Sequence, residues 1–91
     1  MVVRKKNGVK EDFDISKVRR SIANAAGDCG MIMTESDLSN ACRMIENTIK
    51  DHGNNETSSY EVFGVVVFKL NELNYKKVAQ SYVNGALGLT K

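Results

Sequence analysis

The sequence predicts an α+β fold in which an N-terminal β-hairpin caps a bundle of four short α-helices. One observation is the pair Asn7-Gly8, because Asn-Gly between two alternating segments is the strongest two-residue hairpin signal. The other is a series of segments with apolar residues at helical spacing, most of them introduced by a residue that favours a helix N-cap. We expect one domain over residues 1–91, with a hairpin over about 2–13 and helices over about 15–26, 35–52, 59–73 and 75–87.

The predicted hairpin has its turn at Asn7-Gly8. Both residue types tolerate the positive φ of a type I′ turn, so a two-residue turn is expected. Because side chains alternate along a strand, Val3 and Lys5 are predicted to share one face, opposite Arg4. An isolated hairpin is marginally stable in water, so this one must pack on the helices.

The first two helices are predicted from their apolar stripes and their boundary residues. Asp14 is the expected N-cap of the first helix, and Gly27 is expected to end it. Thr34 is the expected N-cap of the second helix, which is predicted to end at Gly53.

The third helix is predicted from the pair Ser58 and Glu61, which has the spacing of a capping box. The apolar run Val65–Phe68 also suits a buried strand. Helix is preferred because the cap is present and the apolar pattern continues to Leu73. A break at Asn74 then separates the third helix from the fourth.

Positive charge is concentrated at the N-terminal end of the chain. Residues 1–20 contain seven Lys and Arg against three acidic residues, although the net charge of the whole chain is only +2. This asymmetry favours an anionic partner at that end. No apolar stretch approaches the length of a membrane span and no signal-peptide pattern is present, so a cytoplasmic location without membrane attachment is expected.

The few catalytic residue types do not form a motif. Cys29 and Cys42 have no partner at zinc-site spacing, and Cys42 is expected to pack in the core. His52 is the only histidine and falls near the end of the second predicted helix. We therefore expect neither an enzyme of the triad type nor a metal site.

The basic end can nevertheless form an anion site. The hairpin brings Glu11 back near Lys5 or Lys6, and Asp14 starts a helix whose first turns contain Lys17. Cations from a strand and from a helix can thus converge on one anion, beside an acidic acceptor for an exocyclic amine. No Gly-rich phosphate loop or dinucleotide fingerprint is present, so any nucleotide would be bound by this other arrangement.

These same residues carry a resemblance. The segment V-R-K-K-N-G at 3–8, followed by Glu11, F-D at 13–14 and K-V at 17–18, resembles the opening of the ATP-cone family. The usual form of that opening is V-x-K-R-D/N-G and then E-x-F-D/N-x-x-K-I. Lys6 stands where the family commonly has Arg.

Later parts of the chain agree with the family in order and spacing. Thr57-Ser58 precedes a helix, and Y-K-K-V-A at 75–79 with Tyr82 is similar to the closing helix of ATP-cones. The resemblance extends from Val3 to about Tyr82; its opening block is fairly specific and its closing part is weak alone.

The resemblance implies a regulatory function. ATP-cones bind ATP or dATP as allosteric modules, mostly at the N-terminus of ribonucleotide reductases and in the repressor of reductase genes. It therefore implies that this chain binds ATP or dATP, with Mg²⁺, and regulates a reductase or a transcriptional regulator without catalysis of its own. The partner would be a fused domain or a separate protein, and nucleotide-dependent self-association is an expected response.

The resemblance also assigns the nucleotide site residue by residue. Its members are Lys5 and Lys6 for the phosphates, Glu11 for the adenine, Asp14 and Lys17 beside the site, Val3 and Val18 along the base pocket, and Thr57 for a hydroxyl from the third helix.

Two other functions remain open at the sequence level. One is a small nucleic-acid-binding domain that uses the same basic end against phosphates. The other is a helical protein-interaction module without a ligand, whose charges only keep it in solution. Binding that weakens steeply as salt rises distinguishes a nucleic-acid interface from a nucleotide site. Binding that depends on adenine distinguishes a nucleotide site from a module without a ligand.

Overall fold

The fold combines a small sheet at the N-terminal end with four helices, which confirms the predicted α+β class. The computed structural model describes residues 1–52, 55–86 and 88. Its elements in chain order are β1 (Val2–Arg4), β2 (Lys10–Asp12), α1 (Ile15–Asp28), α2 (Glu35–Asp51), β3 (Glu56–Ser58), α3 (Ser59–Glu72) and α4 (Lys76–Ala86). Within the described residues, no helix has both the length and the apolar character that crossing a membrane requires.

The sheet contains a strand that the sequence did not predict. β1 pairs with β2 antiparallel and with β3 parallel, so the strand order is β2-β1-β3. The extra strand has the sequence E-T-S at residues 56–58. Three polar residues, the last of which is the N-cap Ser58, show no alternating apolar pattern, and so they give no strand signal.

The hairpin turn differs from the predicted type I′ turn. Gly8 has a φ of 86°, and its N–H donates to the Lys5 carbonyl at 3.0 Å. Asn7 does not have a positive φ; instead, its Oδ1 accepts a hydrogen bond from the Val9 N–H at 3.1 Å. The left-handed position thus falls on glycine alone, as in a three-residue loop that ends in a bulge.

The first helix runs past the glycine that was expected to end it. Gly27 lies inside α1, whose last residue is Asp28. The chain turns at Gly30, which has a φ of 74°. The Gly30 N–H donates to the Gly27 carbonyl at 3.2 Å, and the Met31 N–H donates to the Ala26 carbonyl at 2.9 Å. This is a Schellman termination, and it places the required glycine beyond the helix rather than at Gly27.

The third helix ends in the same way. Asn74 has a φ of 72° and follows α3. The Tyr75 N–H donates to the Leu70 carbonyl at 2.8 Å, which satisfies one of the last carbonyls of the helix. The run Val65–Phe68 is helical, as predicted.

The predicted N-caps are confirmed. The side chains of Asp14, Thr34 and Ser58 accept hydrogen bonds from backbone N–H groups in the first turns of α1, α2 and α3. Each cap satisfies a backbone donor that has no partner within its helix. The predicted helix end at Gly53 and the last predicted helical residue, Leu87, lie outside the described residues.

The hydrophobic core lies between the four helices. α1 packs against α4 and α2, and α3 also packs against α4 and α2. The most deeply buried large side chains are Ile22, Ile45, Ile49, Leu70, Val66 and Val78. Cys42 is buried among them, as the sequence predicted. The sheet lies beside this core and leaves a cavity where it meets the helices.

Candidate functional site

A cavity of about 200 Å³ lies between the sheet, α1, α3 and α4. Its lining combines charged side chains from the hairpin and α1 with apolar side chains from the helices. It includes six of the eight residues that the sequence assigned to the nucleotide site: Val3, Lys5, Glu11, Asp14, Lys17 and Val18.

Glu11 lies between two lysines at this cavity. Its Oε1 is 3.2 Å from Lys17 Nζ and 3.7 Å from Lys5 Nζ. The hydrogen bond and the positive charge of Lys17, together with the charge of Lys5, lower the pKa of Glu11 below its usual value. The predicted convergence of a strand cation, a helix cation and a carboxylate is therefore present.

Asp14 has a structural role at the edge of the site. Its Oδ1 accepts hydrogen bonds from the Ser16 N–H at 3.0 Å and from the Ser16 hydroxyl at 2.6 Å. These bonds lower the pKa of Asp14. As the N-cap of α1, Asp14 fixes the direction in which the helix leaves the hairpin, and so it positions Lys17.

The opposite wall of the cavity is apolar. Val18 is buried, and the rings of Phe63 and Tyr82 stack with centroids 5.6 Å apart and planes inclined at 27°. Burial raises the pKa of the Tyr82 hydroxyl. A flat aromatic pair suits the face of a planar ligand.

Sequence reasoning did not assign Phe63 to the site. Ser59, Val62 and Phe63 all line the cavity and are spaced i, i+3 and i+4, so they share one face of α3. That spacing was available in the sequence, but only the packing of α3 against α4 shows that this face meets the site.

Lys6 lies outside the cavity, in a groove of about 540 Å³ beside it. The groove and the cavity share Lys5, Glu11 and Ser59 as lining residues, so they adjoin. Lys6 Nζ is 5.7 Å from the centre of the Tyr60 ring, within the range of a cation–π contact. Lys5 and Lys6 therefore give the groove two cationic side chains.

Thr57 is also close to the site, but its hydroxyl is already bound. The sheet register places Thr57 opposite Val3, and only 4% of Thr57 is exposed. Its Oγ1 donates to Glu61 Oε1 at 2.6 Å, and Glu61 Oε2 lies 3.0 Å from His52 Nδ1. The hydrogen bond from Thr57 is the main cause that lowers the pKa of Glu61, and the hydrogen bond from His52 lowers it further.

Glu61 therefore forms only half of the predicted capping box. Its backbone N–H donates to Ser58 Oγ at 3.1 Å. Its carboxylate is engaged with Thr57 and His52 instead of with the N-cap backbone N–H.

The chemistry of the site is that of a binding pocket. Lysines can bind phosphates, a carboxylate can accept hydrogen bonds from an amine, and an aromatic wall can bind a base. Over residues 1–52, 55–86 and 88, no group of three or more His, Cys, Asp and Glu side chains is placed to hold a metal ion.

Comparison with known proteins agrees with this geometry. A comparison with curated proteins returns no match. The sequence matches the family model of the ATP cone domain over residues 1–84, which is most of the chain and includes every residue of the cavity. This protein therefore belongs to the ATP-cone family, whose members are nucleotide-binding regulatory modules.

Proposed function

We propose that this ATP-cone binds ATP or dATP at the cavity and the adjoining groove, and that binding regulates a ribonucleotide reductase or a related partner. The observation that supports the site most strongly is the convergence of Lys5, Lys17 and Glu11 on one cavity with an apolar wall. Membership of the family supports the nucleotide as the ligand.

The dimensions of the cavity and the groove favour a ligand whose base and phosphates occupy separate spaces. The cavity alone, at about 200 Å³, is smaller than the roughly 300–1,000 Å³ of typical small-molecule sites. A base can occupy it, between the Phe63–Tyr82 pair and Val3, with its amine directed towards Glu11. The phosphates would then extend along the groove, where Lys5 and Lys6 supply positive charge.

The charges in the unliganded site limit how a triphosphate binds. Glu11 is paired with Lys5 and Lys17, so phosphate must compete with a carboxylate for these lysines. An adenine amine bound to Glu11 would compensate for the contact that the lysines give up. The site therefore favours a ligand that has both an anion and an amine.

Mg²⁺ fits this site only as part of the ligand. In proteins it commonly binds through one or two carboxylates plus phosphate oxygens, and it neutralises part of the phosphate charge. Asp12 and Asp14 line the cavity, but Asp14 already caps α1. In our proposal the ion is held mainly by the phosphates.

The alternative of a nucleic-acid interface has less support. Much of the basic N-terminal end is paired: Arg4 and Lys10 with Glu56, and Lys5 and Lys17 with Glu11. A duplex-binding surface instead presents a stripe of available cations to successive phosphates. A ligand-free interaction module would not need the cavity and its Glu11–lysine cluster.

Calorimetric titration of the purified chain with ATP, dATP and GTP tests the proposal. We expect ATP or dATP to bind and GTP to bind far more weakly, since guanine presents a carbonyl where adenine presents its amine. At a hundred times the dissociation constant the ligand adds about 2.7 kcal/mol to the unfolding free energy, so Tm should rise by several degrees or more. Equal binding of GTP, or no binding of any nucleotide at millimolar concentration, would reject the adenine site.

The regulatory part is tested by sedimentation and phosphate release. A ligand shifts an equilibrium only between states that it binds unequally, so we expect ATP or dATP to change self-association or partner affinity. We expect no nucleoside diphosphate, because no proposed site residue is a base placed to activate water. Steady phosphate release that Lys5→Ala abolishes would identify an NTPase instead.

A further inference from the structure

Ser59 has a hydroxyl group without a hydrogen-bond partner. Among the residues that the structure describes, Ser59 Oγ is the buried side-chain polar atom that lacks one, and less than 1 Å² of it is exposed. The hydroxyl is not needed as a helix cap, because the adjacent Ser58 accepts the hydrogen bond from the Glu61 N–H. Buried polar groups in proteins are nearly always paired, so this exception needs an explanation.

The position of Ser59 suggests one. It is the first residue of α3, and it lines both the base-sized cavity and the adjoining groove. The other two residues common to both spaces, Lys5 and Glu11, are already paired with each other. Ser59 is therefore the residue at the junction whose polar group is available to a ligand.

The chemistry of a nucleotide determines which part meets this junction. The sugar joins the base to the phosphates, so a base in the cavity and phosphates in the groove leave the sugar between them. A serine hydroxyl can both donate and accept a hydrogen bond, as can a sugar hydroxyl. Rotation about the Cα–Cβ bond of serine moves Oγ between staggered positions without moving the helix.

We propose that Ser59 Oγ hydrogen-bonds the 2′-hydroxyl of the bound nucleotide, so that this site favours ATP over dATP. The inference rests on the proposed function, because it requires an adenine nucleotide in the cavity and groove. A site that bonds a ligand hydroxyl leaves its own polar group unpaired when that hydroxyl is missing, which is the physical basis of the preference.

Calorimetric titration of the wild-type chain and Ser59→Ala with ATP and dATP tests this contact. We expect Ser59→Ala to weaken ATP binding about tenfold, the usual order for one hydrogen bond, and to change dATP binding less than about twofold. The matched control is Ser36→Ala, which removes an exposed serine hydroxyl from α2 and should bind both nucleotides as the wild-type chain does. Melting without ligand should show no loss of Tm in Ser59→Ala, because the hydroxyl removed has no partner in the fold.

The outcomes separate the two proposals. Weakening of ATP and dATP by the same factor, or no change in either, would overturn the Ser59 contact while the adenine site stands. Failure of the wild-type chain to bind either nucleotide would instead overturn the proposed function, and the Ser59 contact with it. A selective loss of ATP affinity supports both.

Discussion

Lys17 Nζ lies 3.2 Å from Glu11 Oε1, so β2 and α1 are joined by an ion pair between two residues that line the cavity. Lys17 is exposed and Glu11 is partly exposed, and ion pairs open to solvent contribute little to stability. The pair is better explained by the site than by the fold. It lowers the pKa of Glu11 and keeps the positive charge of Lys17 beside the cavity.

Replacement of this carboxylate should change selectivity and phosphate affinity in opposite directions. In Glu11→Gln, Lys5 and Lys17 lose their anionic partner, so inorganic tripolyphosphate should bind more tightly than to the wild-type chain. The same change weakens the acceptor for the adenine amine, so the preference for ATP over GTP should fall about tenfold. Calorimetric titration with the three ligands measures both effects. The control is Glu46→Gln, which removes a carboxylate paired with Lys50 within α2; an unchanged ATP to GTP ratio in Glu11→Gln would contradict the assignment.

The lysines of the cavity and groove should contribute more than lysines elsewhere. Lys5→Ala or Lys6→Ala should weaken ATP binding by about 1.5–3 kcal/mol each, as expected for hydrogen bonds to charged groups. Lys76→Ala removes an exposed lysine at the start of α4 and should have almost no effect. If all three variants weaken binding alike in the same titration, the effect is general electrostatic attraction and the site is wrongly placed.

The Thr57–Glu61–His52 cluster should make stability depend on pH in the acid range. The folded chain lowers the pKa of Glu61, so its contribution is present above the unfolded pKa and is lost as pH falls through the folded value. Glu61→Gln should therefore destabilise the chain by about 1 kcal/mol at neutral pH and by less at pH 3. Urea unfolding at the two pH values measures this difference. The control is Glu72→Gln, which removes a more exposed carboxylate of the same helix. An equal loss at both pH values in Glu61→Gln would exclude the pH effect.

The two faces of α3 should differ sharply in their contribution to stability. Leu70 is fully buried, whereas 62% of Phe68 is exposed. Leu70→Ala should lower the free energy of unfolding by about 2–5 kcal/mol through lost burial and a residual cavity. Phe68→Ala should lower it by far less, although the larger side chain is removed. Urea unfolding of both variants distinguishes these outcomes, and similar losses would show that the packing of α3 is wrongly assigned.

Local sequence signals predicted the starts of the first three helices correctly. The caps at Asp14, Thr34 and Ser58 marked three helix starts because side-chain capping depends on residues within one turn. The predicted end of α1 was wrong because the sequence offers two glycines, Gly27 and Gly30. The choice between them depends on backbone hydrogen bonds that the sequence does not show. The short strand β3 was missed because it exists only through its pairing with β1.

The candidate site likewise has one part that local sequence patterns predict and another that depends on tertiary packing. The geometry that brings Lys5, Glu11 and Lys17 together follows from one hairpin and the helix directly after it, so a local pattern could predict it. The Phe63–Tyr82 stack joins residues of two helices and depends on how α3 and α4 pack. No short-range sequence pattern predicts how these two helices pack. The unpaired hydroxyl of Ser59 is also visible only when the surrounding partners are known.

The central position of β1 has a consequence for the order of folding. β1 joins β2 across residues 5–9, but its pairing with β3 spans the whole of α1 and α2. The entropic cost of closing a loop increases with its length, and β-hairpins form in about 1–10 μs. We therefore expect the hairpin side of the site to form earlier than the side containing Ser59. Binding of the proposed nucleotide to both sides would stabilise late-forming contacts, so it should prolong the lifetime of the folded chain more than it accelerates folding.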